Sequence, residues 1–249
     1  HRFARFRISR MSWNSPTRRL SADDNSPTSP ALSLSRNIIF NYLGRAYSVG
    51  AAYLFIPFYV SILGVEAYGI IAFYAVVVTF ATIADAGLST AFAREIARGA
   101  DRTRLVNLLS TIEVLLGLTT AALACTFFFC ADWIAKYWLN QGEKVSAQDV
   151  LLCLRLMALS LPAQLLISLY SAGLFGSQRQ HVGNLMQAAY TTARSGLVIL
   201  VLLQAPFVVT FFAWHLLTTL MFAVLFRTSL LRVLGARWLA RGRFVPAQL

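Results

Sequence analysis

The most constraining feature of this chain is the recurrence of apolar runs as long as a membrane is thick. A helix rises about 1.5 Å per residue, so about 20 apolar residues cross a hydrocarbon core of roughly 30 Å. Six segments reach that length: residues 38–63, 68–92, 105–131, 150–175, 185–205 and 207–226. Backbone polar groups in hydrocarbon have no water to bond, so runs of this length are expected as helices. The shortest break, between the last two, rests on Gln204, Ala205 and Pro206, since proline and a polar neighbour mark a helix boundary. The fold class expected is therefore all-α: a polytopic membrane protein with about six transmembrane helices.

Composition removes the main alternatives. With 57% hydrophobic and 13% charged residues, the chain is too apolar to hide its side chains inside one soluble domain. The same numbers exclude disorder for most of its length. Residues 1–36 differ: seven arginines and a Ser/Pro-rich stretch over 21–30 read as a disordered basic cytoplasmic tail. The first apolar run is too long for a signal peptide and lacks a small-residue cleavage site, so it is expected to persist as a helix. Residues 37–226 form the six-helix transmembrane lobe, and residues 227–249 a second basic cytoplasmic tail. That tail reads either as a stop-transfer flank or as an amphipathic helix on an anionic leaflet.

The net charge of +12 from 22 Lys and Arg against 10 Asp and Glu is topological. With six spans, 17 of the 22 fall in the two termini and the loops after spans two and four, and only Lys136 and Lys144 fall on the other side. The positive-inside rule then places both termini in the cytoplasm. Because these charges alternate with membrane spans, no nucleic acid is expected as a partner. Cys125, Cys130 and Cys153 lie in apolar stretches without a C-x-x-C pair or clustered histidines, so no disulfide framework and no metal site is expected. No Gly-rich phosphate loop is present, and no cofactor is implied. His215 reads as a buried, hydrogen-bonded histidine, and no residues are spaced for covalent chemistry. The longest external loop, 132–149, is too short for a catalytic domain, and Trp133, Tyr137 and Trp138 suit the membrane interface. The chain is not expected to be an enzyme.

Polar groups inside the spans narrow the function. An ionised side chain at mid-bilayer costs about 2.5 to 3.5 kcal/mol on insertion scales, so those that persist face a protein interior or a watery cavity. Three stripes repeat at steps of three and four residues, and so share helix faces: Asn37, Asn41, Arg45 and Ser48; Ser160, Gln164, Ser168 and Ser171; and Asn184, Gln187, Thr191 and Arg194. Arg155 is close enough to the outer end of its span to snorkel. Arg45 and Arg194 lie deeper. Either they line an aqueous cavity with Asn41, Gln187 and Thr191, or they pair internally with Asp85 or Glu113. Pro57 and Pro162 are expected to kink their helices, while Gly44, Gly50, Gly117, Gly173 and Gly196 are expected to allow close packing.

Two motifs carry a resemblance. Residues 57–69, Pro-Phe-Tyr-Val-Ser-Ile-Leu-Gly-Val-Glu-Ala-Tyr-Gly, resemble the P-x-Y-x-x-x-L-G-x-x-x-Y-G connection between the first two helices of polysaccharide flippases. Its anchors here are Pro57, Gly64, Tyr68 and Gly69. Residues 85–98 resemble the D-x-G-L…R-E-x-A pattern that follows, carried by Asp85, Gly87, Leu88, Arg94 and Glu95. Asn37, Asn41 and Tyr42 sit as in that family's first helix. Over residues 36–100 the chain is similar to the O-antigen and exopolysaccharide (Wzx-type) flippases of the multidrug/oligosaccharidyl-lipid/polysaccharide exporter superfamily.

The resemblance implies movement of an undecaprenyl-pyrophosphate-linked oligosaccharide across the bacterial inner membrane, by alternating access between two six-helix lobes. This length supplies one lobe, the N-terminal half. The implied partners are membrane lipid, the lipid-linked oligosaccharide, and a second lobe or a homodimer partner. Arg45 and Arg194 would attract pyrophosphate or acidic sugars. Asp85 and Glu113 would either couple ion movement or serve structure, Asp85 by pairing with Arg94 or Arg98. A drug or metabolite exporter of the same superfamily, and a transport-inactive truncated product, are the alternatives.

Overall fold

The computed structural model describes residues 50, 53–83, 85–137 and 145–235. Every regular element among the described residues is helical: α1 (Ile56–Leu63), α2 (Val65–Ile83), α3 (Leu88–Ala97), α4 (Arg102–Tyr137), α5 (Ala147–Gly176), α6 (Gln180–Thr191), a π-helical turn (Thr192–Gly196), α7 (Leu197–Gln204) and α8 (Val208–Val233). Five stretches are long and apolar enough to cross a membrane: α2, α4, α5, the continuous run Gln180–Gln204, and α8. Most of the first expected span lies outside the described residues, and α1 is its end.

Local chemistry sets the boundaries. Pro57 stands in the first turn of α1, where its missing N–H costs no helical bond. Gly64 then ends α1 at φ +87°, a conformation that side chains resist, and α2 restarts at once. The second expected span, 68–92, divides in two. Its helix stops at Ile83, and a turn containing Ala86 at φ +46° and Gly87 at φ +81° separates it from α3. The Asp85 carboxylate accepts from the Ser89 N–H at 3.2 Å and the Ser89 hydroxyl at 2.6 Å, which caps α3 as a new helix. Hydropathy alone ran through this break because both sides are apolar.

At 36 residues, α4 is about 54 Å long and overshoots the bilayer. The aromatic pair Trp133 and Tyr137, 5.8 Å between ring centroids, belongs to its last turn rather than to a loop. Ser146 starts α5 by accepting from the Asp149 N–H at 3.1 Å, and its hydroxyl donates to the Asp149 carboxylate at 2.8 Å. Ser146 is thus a side-chain N-cap, held in place by the carboxylate one turn on. The expected break at Gln204, Ala205 and Pro206 separates α7 from α8. The last helix continues to Val233, past the boundary expected at Phe226.

The centre of the lobe is α5, which packs along α4 and α8 and receives α3 on its C-terminal half. Cys153, Leu154, Met157, Leu161, Leu169 and Leu174 are fully enclosed. The helix continues through Pro162. At the α3 contact the backbones almost touch, since a Cβ on Gly176 would lie 2.5 Å from the Ala93 carbonyl oxygen. Gly173 likewise admits Leu230 and Phe92, whereas Gly50 and Gly117 face open space; close packing explains the first and not the other two. Large apolar side chains such as Leu200, Leu203, Leu217 and Met221 point outward, as a surface solvated by lipid tails requires.

Ion pairs tie the helices together, two of them on the central helix bundle. Glu113 on α4 receives Arg227 of α8 through Nε at 2.9 Å and Nη2 at 3.2 Å, and the Tyr170 hydroxyl of α5 donates to it at 2.9 Å. At the opposite end, Arg155 of α5 pairs with Asp132 of α4 at 3.4 Å and lies over the Phe128 ring.

Candidate functional site

Between α1, α2, α5, α8 and the α6–π segment lies a cavity of about 420 Å³, lined by Tyr59, Tyr68, Gln164, Gln187, Tyr190, Thr191, Arg194, Ser195, Phe211 and His215 among others. Its size falls within the range of about 300 to 1,000 Å³ common for ligand pockets. Arg194 sits near the middle of the 25-residue apolar run Gln180–Gln204, which is long and apolar enough to cross a membrane.

The guanidinium is supported by neutral groups. Its Nη1 donates to the Gln164 Oε1 at 3.3 Å and to the Tyr190 hydroxyl at 3.3 Å. The Tyr190 hydroxyl in turn donates to the same Gln164 oxygen at 2.7 Å. Arg194 Cζ lies 5.8 Å from the Tyr74 ring centroid and 5.7 Å from that of Tyr190, so two aromatic faces share the cation. Tyr74 is itself fixed by Ser160 on α5 at 2.8 Å. Among the described residues no carboxylate pairs with Arg194, and its Nε and Nη2 carry no hydrogen bond. An arginine so placed retains its charge and offers a planar fork to an incoming anion.

The backbone holding Arg194 is unusual, because residues 192–196 form a π turn. Such a turn widens the helix and displaces carbonyls from their regular partners, and π turns concentrate at functional sites. Two neighbours take up those carbonyls: the Trp214 Nε1 donates to Ala193 O at 2.9 Å, and the Tyr59 hydroxyl donates to Ser195 O at 2.6 Å. Thus α8 and α1 grip the turn on either side of Arg194. His215, next to Trp214, is buried with Nδ1 3.1 Å from Phe211 O and its ring stacked 4.1 Å from Phe211. It packs into the wall.

A second cavity of about 340 Å³ adjoins the first and shares Gln164, Gln187 and Tyr190 with it. It extends along α5 past Ser168 and Ser171 to Phe175.

Of the residues singled out from sequence, Gln187, Thr191 and Arg194 come together on the wall of the first cavity. Asn41 and Arg45 lie outside the described residues, as do Asn37 and Ser48. On α5, Gln164 accepts from Arg194, and Gln164, Ser168 and Ser171 share the second cavity with Gln187 of α6, whereas Ser160 holds Tyr74 of α2. Neither acid pairs with Arg194: Glu113 holds Arg227, and Asp85 caps α3. Nor does Asp85 take Arg94 or Arg98, for it is Glu95 that pairs with Arg98 at 3.5 Å and Arg104 at 2.9 Å. Of the motif residues, Tyr68 reaches the cavity; Pro57, Gly64 and Gly87 shape turns; Leu88 opens α3 and Arg94 stands in its last turn; Gly69 faces open space.

Sequence reasoning missed the aromatic half of the site. Tyr190 stands four residues before Arg194 on its own helix face, a spacing that could have flagged it. Tyr59, Tyr74 and Trp214 lie in apolar runs where an aromatic residue carries no distinguishing signal. Among the described residues no group of three or more His, Cys, Asp or Glu gathers to hold a metal.

Comparison with known proteins agrees with this architecture. A Shigella flexneri protein named "Putative O-antigen transporter" is 28% identical over 170 residues, which is 67% of this chain and 40% of that protein. The chain thus spans about two fifths of the length of that curated relative. No solved structure matches. The family model described as "Polysaccharide biosynthesis protein" matches residues 34–248, almost the whole of a chain whose described helices are long, apolar and packed around a cavity that holds Arg194, and the protein belongs to that polysaccharide biosynthesis family as a multi-pass membrane protein.

Proposed function

We propose that this chain forms one lobe of a transporter that moves a lipid-linked oligosaccharide, a polysaccharide precursor, across the bacterial inner membrane. The observation that carries the reading is Arg194: a guanidinium near mid-membrane, on a cavity wall, with two nitrogens unbonded and no carboxylate beside it among the described residues. Keeping such a charge in hydrocarbon is costly. A bound phosphate recovers that cost through charge-assisted, bidentate hydrogen bonds. A cationic drug would instead meet like charge on the cavity wall, which disfavours the drug-exporter alternative.

Transport proceeds by alternating access against a second lobe, supplied by further chain, a partner or a second copy. A site at the membrane midplane between two such units is the arrangement that secondary transporters use. The relative's name and the family description support a polysaccharide precursor as cargo. The alternation of basic loops supports a cytoplasmic position for both termini. We assign Glu113 and Asp85 structural roles, from their partners Arg227, Tyr170 and Ser89.

The test is complementation of a strain lacking its O-antigen flippase, scored by surface polysaccharide, with the chain alone and fused to a second lobe. Restoration in either form is expected. Arg194→Ala should abolish it, and Arg194→Lys, which keeps charge but loses the planar fork, should retain only a small part. A well-inserted Arg194→Ala protein with full activity would refute the role given to this residue.

A further inference from the structure

We propose that the second cavity is a subsite for an uncharged, hydroxyl-rich group: the sugar next to the phosphate that Arg194 holds. The inference rests on the transport reading above and adds a specificity site to it. Three observations converge.

The first is continuity. Both cavities share Gln164, Gln187 and Tyr190, so a ligand anchored at Arg194 passes directly into the second. Ser168 and Ser171 lie four and seven residues beyond Gln164 on α5, about 6 and 10 Å along the helix. That is room for a short stretch of sugar, in a volume of about 340 Å³.

The second is charge. Among the described residues, the lining of the second cavity contains no Lys, Arg, Asp or Glu. A second phosphate would find no cation there. Glutamine amides and serine hydroxyls each donate and accept, which matches sugar hydroxyls that do both.

The third is the state of the hydroxyls. Elsewhere in these helices Thr79, Thr111, Thr120, Thr126 and Thr218 each donate to a carbonyl one turn back, the usual way to hide a hydroxyl in an apolar helix. Ser168 and Ser171 make no such bond among the described residues, and Ser168 is exposed. Their hydroxyls remain available to a ligand, with the Phe175 ring beside them as an apolar surface for sugar C–H groups. A polyprenyl chain would leave these groups unsatisfied; it therefore lies outside this cavity.

The experiment measures binding to the purified full chain in detergent by thermophoresis. Two probes are used: a short-chain polyprenyl pyrophosphate without sugar, and the same pyrophosphate bearing one neutral hexose. The hexose probe is expected to bind about tenfold tighter, the scale of one or two net hydrogen bonds. In Ser168→Ala/Ser171→Ala that advantage should vanish while the sugar-free probe binds as before, which also reports correct folding. Arg194→Ala should lose both probes. Equal affinity of the two probes for the unaltered chain, or an advantage that survives the double substitution, overturns the subsite and leaves the phosphate reading standing. Binding of neither probe, or binding indifferent to Arg194→Ala, overturns the transport reading and the subsite with it.

Discussion

Replacing Glu113 by leucine should destabilise the lobe sharply, and replacing Arg227 at the same time should restore most of the loss. Glu113 accepts from Arg227 twice and from Tyr170 once, all at 2.9 to 3.2 Å. The two charged side chains are only 17% and 28% exposed. Removing one partner of a buried ion pair costs about 3 to 5 kcal/mol, mainly because the other charge is stranded. Arg227 stands six residues from the end of α8 and can move its head toward the interface, so about 2 to 3 kcal/mol is expected for Glu113→Leu. In Glu113→Leu/Arg227→Leu neither charge needs solvation, and the net cost should fall below about 1 kcal/mol. Arg227→Leu strands Glu113 and should cost at least as much as Glu113→Leu, so the coupling between the two sites is about 3 kcal/mol or more. Unfolding in mixed dodecyl maltoside and SDS micelles measures all four proteins of the cycle. Additive costs, or a neutral Glu113→Leu, would refute the argument. The same double variant separates structure from coupling: retained transport in a stable protein assigns Glu113 to the scaffold, whereas lost transport with stability restored assigns it to ion coupling.

Three further outcomes follow from the geometry. Asp85→Ala should lose the α3 cap at a cost of about 0.5 to 2 kcal/mol, while Asp85→Asn, which can still accept from Ser89, should keep both stability and transport; transport lost in a stable Asp85→Asn protein would show that the charge matters. Gly176→Val should force α3 away from α5, since even a Cβ would lie 2.5 Å from the Ala93 carbonyl oxygen. A loss of about 1 to 3 kcal/mol in the same micelle assay is expected. Trp214→Phe should leave the Ala193 carbonyl unpaired, lowering stability by about 1 kcal/mol and raising hydrogen exchange at the π turn more than at α4.

The positions of the spans were largely legible because hydrophobic length is a one-dimensional property. It located α2, α4, α5, the Gln180–Gln204 run and α8, and the proline at 206 marked the last break. The split at residues 85–87 was not legible by hydropathy, since Asp85 and Gly87 act through a cap and a left-handed turn while both flanks stay apolar. The motif residues Asp85, Gly87 and Leu88 did sit on that turn, but as a pattern without its geometry. Part of the cavity wall was visible as polar residues at helical spacing, Gln187, Thr191 and Arg194 on one run and Gln164, Ser168 and Ser171 on the other. Which stripe faces which was not, because the steps of three and four residues describe one helix and say nothing of its neighbour.

By itself, then, the sequence determined that this chain is helical, crosses a membrane several times and holds arginines where hydrocarbon penalises them. Those conclusions follow from transfer free energies, which depend on residue type and on run length. Tertiary structure alone decided what each buried charge does. It joined Glu113 to Arg227 across 114 positions, and it set Arg194 between Tyr74 and Tyr190 on a turn gripped by Trp214 and Tyr59. A buried charge takes its role from whichever groups lie within a few ångströms, and in a helical bundle those groups come from other helices.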